Sequence, residues 1–123
     1  MLINAEVNIN IQTNLGWTPL HEACEYGYPE IAKMLIDGCA DLNIQTNNGY
    51  TVLMSACSGR YTKIAKMLLS ADANINIQNN DGKTALILAC RKGHTKIVEI
   101  LLNVSLFFKR SSISFVLITL VFS

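Results

Sequence analysis

Gly16-Trp17-Thr18-Pro19-Leu20 returns as Gly49-Tyr50-Thr51-Val52-Leu53 and again as Gly82-Lys83-Thr84-Ala85-Leu86, at a constant spacing of 33 residues. Downstream, Ile31-Ala32-Lys33-Met34-Leu35 is echoed by Ile64-Ala65-Lys66-Met67-Leu68 and then by Ile97-Val98-Glu99-Ile100-Leu101. The linking stretches Asn10-Ile11-Gln12, Asn43-Ile44-Gln45 and Asn76-Ile77-Gln78 hold the same register. A period of this size means stacked supersecondary units, none of which can bury its apolar face alone.

Inside each unit the apolar spacing is helical. Leu20, Ala23 and Cys24 fall at i, i+3 and i+4, as do Leu53, Ala56 and Cys57, which predicts a short helix with one narrow apolar stripe. Gly27, Gly59-Arg60 and Gly93 then break the chain. A second helix follows, with Pro29 suited to its first turn and Thr62 and Thr95 as N-cap candidates. Its wider face is Ile31, Met34 and Leu35 in one unit and Ile64, Met67 and Leu68 in the next. Asn, Asp and Gly clusters around Ile44-Gln45 and Ile77-Gln78 read as extended, hairpin-like loops.

Composition fits one domain of ordinary size: 123 residues, 50% hydrophobic and 15% charged. The net charge of +1 gives no global pull towards nucleic acid or membrane. It conceals an asymmetry, however. Residues 1–59 hold six acids against Lys33 alone, a net of −5, while residues 60–123 hold nine bases against three acids, a net of +6. A charge dipole along the molecule is expected. Cys24, Cys57 and Cys90 recur with the repeat, each after an alanine, so they read as small packed side chains kept reduced in the cytoplasm. No zinc-ligand spacing occurs, and the N-terminus lacks the basic and apolar regions of a signal peptide.

The stretch Gly16-Trp17-Thr18-Pro19-Leu20-His21-Glu22-Ala23-Cys24 resembles the ankyrin-repeat signature G-x-TPLH-x-A-A, and Ala40-Asp41-Leu42-Asn43 and Ala73-Asn74-Ile75-Asn76 resemble its hairpin entry A-D-V-N. The resemblance spans residues 5 to about 102. It implies an all-α solenoid of helix–turn–helix units joined by β-hairpin-like loops, with a concave, protein-binding side. It also implies that the threonine and histidine of TPLH tie loop to helix. The later units, reading Thr51-Val52-Leu53-Met54 and Thr84-Ala85-Leu86-Ile87, would lose part of that network. Where the family has glycine before A-D-V-N, this chain has Glu6, Cys39 or Asp72, a costly choice if the backbone there is left-handed.

Carried over unit by unit, the family's contact positions are Asn14, Leu15, Trp17, Glu22, Glu25 and Tyr26 in the first unit. The second supplies Asn47, Asn48, Tyr50, Ser55 and Ser58, and the third Asn80, Asp81, Lys83, Arg91 and Lys92. Trp17, Tyr26 and Tyr50 would form one aromatic patch beside acids, with bases at the far end. The alternative is that these rings only cover the neighbouring hairpin. The resemblance also makes Asn43 and Asn76 candidates for hydroxylation, against a plain role in hydrogen bonding the hairpin.

No catalytic constellation stands out. There is no phosphate-cradling glycine loop, nucleophile elbow or H-E-x-x-H motif, and His21 and His94 sit at structural positions of the repeat. No cofactor is expected. The chain divides into the hairpin half of a repeat at 1–15, repeats at 16–48 and 49–81, a degraded repeat at 82–103 and an apolar tail at 104–123. It opens in mid-unit, which should leave the face of Leu20 and its neighbours open to water. The tail has three readings: a fold-back cap on the last helix, a membrane or self-association element, or a stretch without selected role. Its uncharged run, residues 111–123, is shorter than the roughly 20 residues that span a bilayer, so shallow insertion is the most it supports. The expected function is a protein-interaction module with no nucleic-acid ligand. The alternative is a fragmentary repeat protein that associates through its tail.

Overall fold

The structure, a computed structural model, describes residues 6–104. The apolar tail, 104–123, lies outside that range apart from Val104, which is still helical. Three helix pairs follow one another: α1 (Pro19–Tyr26) with α2 (Pro29–Asp37), α3 (Val52–Ser58) with α4 (Thr62–Ser70), and α5 (Ala85–Lys92) with α6 (residues 95–104). Among the described residues there are no strands. The first helices pack in series, α1 on α3 on α5, and α2 packs on α4. This is the all-α stack that the repeat spacing predicts.

The first helices start where threonine caps them. Thr18, Thr51 and Thr84 are each extended, and each hydroxyl accepts from the backbone N–H three residues on. Pro29 takes the first turn of α2 as expected. Thr62 does not cap α4: it is the first helical residue, and the cap position falls to Tyr61, which makes no side-chain bond there. Thr95 likewise lies inside its helix.

The core runs along the stack. Leu20, Ala23 and Cys24 are buried against their own unit and the next, with Leu53, Ala56 and Cys57 repeating the arrangement. Cys90, third in that series, is instead exposed, because no described residue follows to cover its side of α5. The open face at the front of the stack also differs from expectation. Leu20 is 1% exposed and belongs to the common apolar core. The exposed residues are Tyr28, Ile31 and Met34 of the second helix and the turn before it. Ile31 is 50% exposed whereas its equivalents Ile64 and Ile97 are 1% and 0% exposed, each roofed by the preceding unit.

Two of the positions lacking the family glycine do adopt a left-handed backbone: Cys39 at φ 66° and Asp72 at φ 65°. Arg60 joins them at φ 62°. It occupies the place that Gly27 and Gly93 fill in the other units, because the glycine of the second unit, Gly59, comes one residue early. Each such residue costs about 1 kcal/mol relative to glycine. Gly27 cannot be exchanged in return, since a Cβ there would stand within the ring of Tyr61.

Cys39→Gly is therefore expected to stabilise the protein by about 1 kcal/mol, and Gly27→Ala to destabilise it by more than that. Urea midpoints of the two variants against the parent chain measure both.

Candidate partner-binding surface

The loop tips at residues 13–17, 46–50 and 79–83 are three copies of one hydrogen-bonded turn. Thr13, Thr46 and Asn79 each donate their N–H to the carbonyl four residues on (Trp17, Tyr50 and Lys83; 2.8, 2.9 and 2.8 Å). Each also accepts from a glycine N–H (Gly16, Gly49, Gly82). Gln12, Gln45 and Gln78 brace the turns from behind, each donating Nε2 to the carbonyl of that same glycine. This closed turn with glycine at positive φ is the geometry of a hairpin loop, although the flanking segments do not form a ladder.

The tips are also tied to one another. Asn47 Nδ2 donates to the Asn14 carbonyl and Asn80 Nδ2 to the Asn47 carbonyl, both at 2.9 Å. The backbone N–H of Asn47 and of Asn80 reaches the Leu15 and Asn48 carbonyls. Gln45 adds a bond to the Gln78 carbonyl at 3.0 Å. One layer down, Asn10 Oδ1 accepts from the Asp41 N–H, and Asn43 Oδ1 from the Asn74 N–H. The plain structural role considered for Asn43 is thus present. The side-chain amides of Asn47 and Asn80, expected as contact groups, bond within this ladder.

On this frame sit the residues that differ between units. Leu15, Asn48 and Asp81 are exposed at the tips; Trp17, Tyr50 and Lys83, half-buried, follow them one glycine later. Glu22, Glu25, Arg91 and Lys92 are exposed on α1 and α5, and Ser58 is half-buried at the end of α3. Ser55 must be withdrawn from the contact set, because it is 4% exposed and covered where α1 lies on α3. The single aromatic patch also divides. Tyr26 ends α1 and stacks on Tyr28 at 6.2 Å between ring centres, whereas Trp17 precedes the cap of the same helix. Eight residues of helix, about 12 Å, separate them. Trp17 and Tyr50 remain on successive tips.

His21 joins the first tip to the second. Its Nδ1 accepts from the Thr18 N–H at 3.1 Å and lies 2.8 Å from the Thr18 hydroxyl, while Nε2–H donates to the Tyr50 carbonyl at 3.0 Å. The backbone N–H of His21 completes a reciprocal capping box. Met54 and Ile87 hold this position in the later units, where only the threonine cap bond survives. The imidazole is fully buried, and desolvation lowers its pKa despite the opposing backbone bonds and Glu22. His94 makes a comparable link that sequence reading left undefined: Nε2–H donates to the Ser58 carbonyl and Nδ1 accepts from Arg60.

Burial pushes the thiols of Cys24 and Cys57 up to about 12. For Cys24 the nearby Cys57 and Glu25 add to the same direction. Neither thiol is poised as a nucleophile. Among the described residues no group of three or more His, Cys, Asp or Glu could hold a metal ion, and no helix is long and apolar enough to cross a membrane.

The ankyrin-repeat family model, described as ankyrin repeats (3 copies), matches residues 1–79 and 38–111. Single stretches are similar to curated proteins. The mouse SMC5-SMC6 complex localization factor protein 1 is 48% identical over 33 residues, which is 27% of this chain and 3% of that protein. The human protein of that name is 46% identical over the same length. The human protein phosphatase 1 regulatory subunit 27 is 47% identical over 36 residues, 29% of this chain and 23% of that one. In each case the match spans well under two thirds of the relative.

Two outcomes follow from the polar frame. A histidine whose folded pKa lies below its unfolded value takes up protons on unfolding, so stability is full above pH 6.5 and falls as the pH drops below it. Melting temperature against pH should show that fall, and His21→Gln should flatten it. In addition, Asn79 Nδ2 is buried with no hydrogen-bond partner among the described residues, where the second unit has Thr46. Asn79→Thr should raise stability by about 1 kcal/mol in chemical denaturation.

Proposed function

The chain belongs to the ankyrin-repeat family, and we propose that it is a protein-interaction module that grips its partner through the loop tips and the exposed side of the first helices. One observation carries this reading. The bonds that hold each tip are the same from unit to unit, while the side chains displayed on it are not: Leu15 and Trp17, then Asn48 and Tyr50, then Asp81 and Lys83. A constant frame with changing display suits recognition, where side-chain identity sets specificity and aromatic anchors supply much of the energy. Nothing in the frame positions a nucleophile against a base, so display rather than catalysis is the role we infer.

The charge asymmetry gives the partner a polarity. Glu22 and Glu25 lie at one end of the surface, and Lys83, Arg91 and Lys92 at the other. The partner segment is basic where it meets the first unit and acidic where it meets the third. Buried, unreactive Cys24 and Cys57 are compatible with a reducing, cytoplasmic setting. The regulatory subunit and the complex localization factor whose stretches this chain resembles bear names of proteins that work with other proteins, which supports a role of the same class.

A partner captured by the wild-type chain should bind the Trp17→Ala, Tyr50→Ala double variant at least ten-fold more weakly, a loss of about 1.4 kcal/mol or more. Its affinity should also fall as salt rises from 50 to 500 mM. Undiminished capture by a variant that melts like the parent removes these tips from the contact surface.

A further inference from the structure

We propose that the groove between α2 and α4 is a second docking surface, and that it takes an acidic peptide segment carrying a large apolar side chain between its carboxylates. No residue of this groove belongs to the loop tips or to the first helices, so the proposal does not rest on the partner surface described above.

The groove follows from the way the units pack. α2 and α4 lie against one another, each nine residues and hence about 13 Å long. Ala32 of α2 and Ile64, Ala65 and Leu68 of α4 are fully buried. Outside that contact the two helices diverge, and Ile36 and Met67 stay only half-covered. With Ala71 they line a cleft of about 410 Å³, a size at which clefts hold ligands. Lys33, Lys63 and Lys66, all exposed, line the same cleft.

The charges of this cleft are unevenly answered. Lys33 pairs with Asp37 at 2.7 Å, one turn further along α2. Lys63 and Lys66 join no salt bridge among the described residues. Nor does the sequence offer them a local one: residues 42–71 hold Arg60, Lys63 and Lys66 and no acid. Residues 1–5 and 105–123 contain no acidic side chain either, and the latter add Lys109 and Arg110, of the same sign. Two uncompensated cations beside an apolar cleft are complementary to carboxylates flanking an apolar side chain on a partner.

The next seam shows that this sign is not a property of the repeat. A cleft lined by Leu69, Ile100 and Val104 lies between α4 and α6, but Asp72 lines it too. The residue equivalent to Lys66 in α6 is Glu99. A peptide suits the first cleft better than a nucleic acid or a lipid surface. Glu30 and Asp37 on α2 would repel an extended polyanion, and the cleft has no aromatic ring on which a base could stack. Its length of about 13 Å matches roughly four residues of extended chain.

The test is fluorescence anisotropy of a labelled peptide, Asp-Glu-Leu-Asp-Glu flanked by glycines, titrated with the full-length chain. Binding should saturate with a Kd below about 1 mM and weaken as salt is added. Lys66→Glu should weaken it about ten-fold or more. Lys96→Glu makes the same change in net charge outside the groove and should alter it by less than about two-fold. Both lysines are exposed, and matching melting curves check that folding is retained. A peptide with glycine in place of the leucine should bind about five-fold more weakly or worse. Absence of saturable binding by about 1 mM overturns the proposal. Equal losses with Lys66→Glu and Lys96→Glu overturn it as well, since net charge alone then accounts for the binding. A glycine peptide that binds as well as the leucine peptide removes the apolar cleft from the contact, with the same result. If a single-stranded oligonucleotide or a vesicle of anionic phospholipid binds more tightly than the peptide and is lost with Lys66→Glu, the groove belongs to that ligand and the peptide assignment fails.

Discussion

No helix pair in this chain can bury its own apolar side chains, and the whole structure follows from that shortage. The same residue type at the same place shows it: Ile64 and Ile97 are shielded because α2 and α4 lie in front of them, while Ile31 stands half in water. Burial of one such side chain is worth roughly 2 kcal/mol. Each unit therefore stabilises the one behind it more than itself. Small residues at Ala23, Ala56 and Ala89 and at Cys24 and Cys57 let the first helices approach closely enough for this to work.

A polar lattice fixes the register that apolar packing alone would leave loose. The tips are held by backbone bonds within each turn and amide bonds between turns, and His21 bridges the cap of α1 to the next tip. The lattice is unequal along the chain. At the first unit Thr18 and His21 cap each other, whereas at the third Ile87 replaces that imidazole, His94 supplies a link to the Ser58 carbonyl and, among the described residues, Asn79 Nδ2 has no partner. The side chains available to a partner are those that this lattice does not use, and they change in character from acidic and aromatic to basic.

Much of the fold was legible because the repeat spacing is exact. Among the described residues the six helices and Pro29 follow from residue type and register, and Cys39 and Asp72 stand out as costly if the backbone there is left-handed, as it is. The threonines that cap, Thr18, Thr51 and Thr84, are not the pair, Thr62 and Thr95, that register suggests. What escaped depends on direction within the stack, which spacing does not encode. Leu20 and Ile31 are both apolar members of one unit, yet one is 1% exposed and the other 50%. Ser55 looked like surface because serine is polar, and only the placement of α1 on α3 covers it. Arg60 escaped for another reason: the nearby Gly59 drew attention to itself, and a one-residue shift put the strain on its neighbour. Of the proposed contact surface, the family pattern names the tip residues, while the separation of Tyr26 from Trp17 needs the length of a helix to be seen.

The amide ladder has a kinetic side. Its links join residues 33 apart, Asn47 to Asn14 and Asn80 to Asn47, and none of its bonds spans two units. Loops of that length close at modest entropic cost, and no distant part of the chain must be found first. Folding can begin at either seam and spread outward one unit at a time, with the middle pair, α3 and α4, shared by both routes.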